Sequence, residues 1–172
     1  MLFNPYSEEE TNAAKSLLEI FLPEIDDLEE DIFAFEKAID ANDDEEKNIL
    51  FSLYLAFGNR VGFYGEIDNL EVIAEQLDLL ARNWGVVLNF GNHGSLDWQE
   101  MFALADEELL AAAAQELAAE DLTLWLCNDE TNQRDNTMYG FISRTCDDDL
   151  VEKLAEKSNA DLVKLEGNYE YL

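Results

Sequence analysis

The sequence predicts an α/β (α+β) protein: a mixed sheet covered by helices and preceded by an acidic N-terminal helical region. Three observations lead there. Apolar residues make up 48% of the 172 and aromatics 11%, enough for a core despite a formal net charge of −30, whereas a disordered chain lacks apolar content on this scale. Apolar spacing is helical up to residue 57. Beyond Gly58, strand-like runs alternate with helical ones, the pattern of helices layered on a sheet.

Taken in order, Ser7-Glu8-Glu9-Glu10 is a capping box, with the Ser7 hydroxyl placed for the Glu10 amide and the Glu10 carboxylate reaching back. Three acids in the first turn also suit the positive helix end. Ala13, Ala14, Leu17, Leu18 and Phe21 continue the helix to Pro23, and Ile25, Leu28, Ile32, Phe35 and Ile39 give a second. Asp43 or Asp44 caps a third, whose segment Ile49–Phe57 is apolar almost all round and is therefore expected to be buried.

Arg60–Ile67 reads as a strand. Asp68 or Asn69 caps a helix through Leu70, Ile73, Ala74, Leu77 and Leu80, ended by Gly85, and Val86–Phe90 reads as a short strand. Ser95 or Asp97 opens one or two helices between Trp98 and Glu120. Leu122–Cys127 and Met138–Ser143, joined by a short polar loop, are an antiparallel pair. Asp147–Asp149 open a helix through Lys157, and Ala160–Glu166 is the last strand. With no Gly/Ser/Pro-rich linker, the chain reads as a single domain, 1–172, comprising an acidic helical subregion (1–57) and a sheet region (58–172) in the order βαβα(α)ββαβ. The three N-terminal helices are expected to pack onto or beside the sheet.

The acids number 40 against 10 Lys and Arg. Residues 1–50 hold 16 acidic and 3 basic residues, residues 51–130 hold 15 and 2, and residues 131–172 hold 9 and 5. Such a balance repels phosphate backbones and anionic lipid, which argues against direct nucleic-acid or membrane binding. No signal-peptide or membrane-spanning pattern is seen, so a cytoplasmic location is expected. Cys127 and Cys146 then read as reduced, buried thiols, although a bridge across the hairpin is also open.

Leu124-Trp125-Leu126, the polar loop from Asp129 and Tyr139-Gly140-Phe141 with the helix and strand that follow resemble a bacterial family of α/β proteins of unknown function. The resemblance covers the last third of the chain. It implies an α/β domain and carries over no catalytic residues.

The residues offer little catalytic chemistry. His93 is the one histidine, the cysteines lack metal-ligand spacing, and no EF-hand, nucleophile-elbow or phosphate-loop pattern occurs. No cofactor is expected, and a non-enzyme is the favoured reading. The chain reads instead as a protein that occludes a basic partner, a DNA-binding protein or a nuclease toxin, through Glu19, Asp26, Asp27, Glu29, Glu30, Asp31, Glu36, Asp43, Asp44, Glu45 and Glu46. Carboxylates on packed helices can approach the charge spacing of B-DNA, about one per 1.7 Å of axis, and this acidic surface resembles that of DNA-mimic or immunity proteins. The alternative is a small-molecule enzyme or sensor with Asn89, Asn92, His93, Asp129 and Arg134 beside the strand ends, the acids serving solubility only. Oligomeric state is left open.

Overall fold

Two strands set the architecture. β2 (Leu122–Cys127) and β3 (Thr137–Arg144) are buried at almost every position rather than at alternate ones, so each of their faces needs a helical cover. A computed structural model describes residues 6–23, 27–41, 48–90, 106–128 and 136–165, and it supplies both covers. The N-terminal helices are α1 (Glu8–Phe21), α2 (Leu28–Ala41) and α3 (Phe51–Phe57). A 3-10 turn at Gly58–Arg60 leads into β1 (Gly62–Glu66), followed by α4 (Leu70–Asn83) and α5 (Asp106–Ala118). After the β2–β3 pair come α6 (Asp148–Lys157) and β4 (Leu162–Leu165).

The sheet order is β1-β3-β2-β4, and every pair is antiparallel. The helix-covered sheet is as expected, but the mixed sheet has no parallel pair among the described residues. The physical reason is insertion. β1 and β2 run the same way, yet β3 lies between them. β3 and β4 likewise run the same way, with β2 between. The two crossovers step in the same direction across the sheet from strands that run oppositely, so a common handedness puts their helices on opposite faces. This is the observed arrangement: α4 and α5 share one apolar cluster with Phe63, Leu124, Met138 and Ile142, while Val151 of α6 joins the other with Trp125, Tyr139 and Phe141.

The second cluster also contains the N-terminal helices. Phe21 of α1 stacks on Phe141 at 4.6 Å between ring centroids, with planes 5° apart, and Phe51 of α3 meets Tyr139 edge-on at 5.3 Å. α1 and α3 therefore lie on the sheet, and α2 packs against α3 and α1. The Ser7–Glu10 capping box forms as expected, at 3.1 and 3.3 Å. α3 departs from the expectation of full burial: Phe51, Ser52 and Leu53 are buried, but Leu55 is 49% exposed. A seven-residue helix lying on a sheet has one outward side whatever its composition.

Gly140 takes the position where β3 crosses between Phe63 and Leu126. A Cβ there would strike the Trp125 carbonyl oxygen and lie 2.8 Å from the Phe63 ring, so only glycine lets the ring lie over the strand. The free edge of β1 is blunted by side chains. Gln76 Oε1 accepts from the Tyr64 amide at 2.8 Å, and Asn59 donates to the Gly62 carbonyl at 3.3 Å. Arg60 lies in the 3-10 turn, outside the strand expected to begin with it.

Val86–Phe90, expected as a strand, pairs with no strand among the described residues. Three of its amides go to carboxylates instead: Leu88 donates to Asp78 Oδ1 at 3.0 Å, and Asn89 and Phe90 donate to the two oxygens of Glu116, each at 2.8 Å, while Val86 donates to the Ala81 carbonyl at 3.0 Å. Val86, Leu88 and Phe90 meanwhile face the core. The apolar alternation was a true burial signal, but two helix-borne acids replace the sheet ladder. The cysteines also divide. Cys127 is buried, its sulfur accepting from the Asn48 side-chain amide at 2.9 Å, and Cys146 is exposed, neither in a disulfide; the register Leu122↔Arg144 sets Cys146 beyond the end of the hairpin opposite Cys127, which removes the bridge. Trp125 is a core residue whose indole N–H donates to Ser143 Oγ at 2.8 Å.

The carboxylate clamp yields a measurable expectation. Glu116→Ala leaves two amides of the 86–90 segment without their acceptor and costs about 1–3 kcal/mol. Urea midpoints should fall accordingly, with amide exchange accelerated first at Asn89 and Phe90. Unchanged exchange at those two amides contradicts the clamp.

Candidate functional site

The surface charge is concentrated by helix geometry. In α1 the core face is Ala13, Ala14, Leu17, Leu18 and Phe21, which leaves Glu8, Glu9, Asn12, Ser16 and Glu19 exposed. In α2 the core face is Asp31, Phe35, Ala38 and Ile39, which leaves Glu29, Glu30, Phe33, Glu36 and Lys37 exposed. The two helices are linked by Lys15 of α1, whose ammonium lies 2.8 Å from Glu36. Asp27, exposed at the start of α2, accepts from the Glu30 amide at 3.1 Å and so serves as a cap.

α6 and α4 carry a more balanced surface, whereas residues 106–128, which hold α5, have six acids and no Lys or Arg. α6 exposes Asp149, Glu152 and Glu156 but also Lys153 and Lys157, and α4 exposes Glu71 and Glu75 with Arg82 at its last turn. Among the described residues, 27 acids face 8 Lys and Arg, so most carboxylates have no described cation to pair with. The two cations of α1 and α2 are already engaged, Lys15 with Glu36 and Lys37 over the Phe33 ring at 4.5 Å.

The residues expected to contact a partner therefore separate. Glu19, Asp27, Glu29 and Glu30 are exposed on α1 and α2, and Glu36 is exposed but salt-bridged. Asp26, Asp43, Asp44, Glu45 and Glu46 lie outside the described residues. Asp31 is a correction: it is 6% exposed, and both its oxygens accept from Arg60, at 3.0 and 3.1 Å. One carboxylate of a run that looked uniformly solvated instead points inward and fastens α2 to the turn before β1. The bidentate pair is half-open to solvent on its arginine side, at 46% against 9%, so its strength comes from the two charge-assisted hydrogen bonds more than from deep burial.

Of the alternative set, Asn92, His93, Asp129 and Arg134 lie outside the described residues, and Asn89 is exposed with its amide held by Glu116. Among the described residues, no group of three His, Cys, Asp or Glu side chains could hold a metal ion, and no helix is long and apolar enough to cross a membrane. The concavities lining α1 are open grooves: one of about 480 Å³ runs between Glu8, Glu9, Asn12 and Ser16 on one side and Leu154 and Lys157 on the other. Sequence reasoning missed Phe33, an aromatic at the centre of the acidic face of α2. Its place off the 28-32-35-39 apolar stripe was the signal that could have found it.

Compared with family models, curated proteins and solved structures, the chain matches none of them.

Asp31 and Glu30 are neighbours with opposite expected behaviour. Asp31→Ala removes both acceptors of the Arg60 guanidinium, which water can then reach, and lowers stability by about 1 kcal/mol, whereas Glu30→Gln stays within about 0.5 kcal/mol. Urea denaturation of the two variants checks this; equal midpoints contradict the assignment.

Proposed function

We propose that the chain is a non-enzymatic acidic binding protein that occludes a basic protein partner, such as a DNA-binding protein or a nuclease toxin. The observation that carries this reading is the predominantly acidic outward surface of α1 and α2. Glu8, Glu9, Glu19, Asp27, Glu29, Glu30 and Glu36 face outward there, against two cations that are already engaged within the protein. A surface of this kind steers a basic partner over a Debye length, about 8–10 Å at ordinary ionic strength, and speeds its docking. The carboxylates take the place that phosphates hold against a basic groove. The packing of α1–α3 into the sheet's own core supports the reading further, since carboxylates on anchored helices keep their spacing and lose less side-chain and backbone freedom on binding.

Capture from native cytosol tests the reading. The bound partner should be basic, and its retention should fall steeply as salt rises. Charge reversal at Glu19, Glu29 and Glu30, with Asp31 left in place to preserve the Arg60 bond, should slow association at least about tenfold while leaving the urea midpoint nearly unchanged. Association unaffected by that reversal would remove the α1–α2 surface from the interface.

A further inference from the structure

We infer that the outward face of α2 is an arginine-receiving surface, with the Phe33 ring as its platform and the carboxylates of Glu29 and Glu30 as its acceptors. The inference rests on the basic-partner reading and names the contact within it. Phe33 is 56% exposed. Glu30 and Glu29 precede it by three and four residues, and Glu36 and Lys37 follow it by three and four, so one helix face gathers all five side chains. An exposed phenylalanine alone is ordinary. Here, however, a cation already lies against the ring: Lys37 Nζ is 4.5 Å from its centroid, within reach of a cation–π attraction.

The same molecule contains the complete arrangement elsewhere. The Arg60 guanidinium lies 5.6 Å from the centre of the Phe57 ring while donating to both oxygens of Asp31. Ring and carboxylate together suit a guanidinium, which is planar, weakly hydrated and able to donate in pairs. Phe33 with Glu29 and Glu30 offers the same two elements outward. An ammonium such as that of Lys37 meets the ring as a hydrated point charge and is the weaker occupant, so an arginine of the partner displaces it. A second copy of this chain is a poor occupant, because two bodies at −30 repel each other.

The test uses the full chain with two synthetic peptides of equal length and charge, one arginine-rich and one lysine-rich, titrated at physiological ionic strength. The arginine peptide should bind more tightly. Phe33→Ala and Phe33→Leu should each weaken it about three- to fivefold while changing the lysine peptide by no more than about twofold; the leucine variant keeps apolar bulk and removes only the ring. Glu29→Gln with Glu30→Gln should weaken both peptides, and Glu71→Gln with Glu75→Gln on α4 should weaken neither by more than about twofold. Urea midpoints confirm that each variant is folded. Binding of both peptides that is indifferent to Phe33, or a leucine variant that binds as the parent does, overturns the arginine surface and leaves the acidic-binding reading standing. Failure of both peptides to bind overturns both.

Discussion

The stack of Phe21 on Phe141 joins the first helix to the middle of the sheet, and the rest of the structure depends on the burial it completes. β2 and β3 are apolar on both sides. One side is closed by α4 and α5, which belong to the crossover between β1 and β2. The other has only α6 from its own crossover, and α6 is ten residues long. The N-terminal helices supply the missing cover. Each large apolar side chain fully buried there contributes about 1.5–3 kcal/mol, and this opposes the self-repulsion of a body at −30.

That dependence shapes the acidic surface. Because α1 and α2 each bury a narrow stripe, their acids are driven to the outer side, and the helices hold them at fixed spacing. The acids have also been divided between two uses. Glu10 and Asp27 cap helices, Asp31 binds Arg60, and Asp78 and Glu116 hold the 86–90 backbone. The remainder of the α1–α2 set faces water. The same residue type thus fixes the fold and forms its surface, and the fold's own use of arginine against ring and carboxylate at Arg60 illustrates the chemistry offered outward at Phe33.

Much of the architecture was legible in the sequence because it rests on local rules. The capping box, the stripes of α1, α2 and α4, and the β2–β3 hairpin are each written in a span shorter than 25 residues. The features that escaped are non-local. Nothing near Val86–Phe90 says that its amides will meet Asp78 and Glu116 rather than a neighbouring strand. The antiparallel sheet follows from β3 entering between β1 and β2, which no periodicity encodes. Asp31 looks like its neighbours until Arg60, 29 residues away, reaches it. The candidate surface was legible as charge, while its aromatic centre is visible only once the buried stripe of α2 is known.

The central claim is that the α1–α2 layer, not the acidic chain at large, meets the basic partner. Hydrogen exchange of the chain alone and in complex with the captured partner tests it most directly. Slowed exchange confined to α1 and α2, with α4 and α5 unchanged, is the expected result. Protection centred on α4 or α5, or spread evenly over every helix, contradicts it.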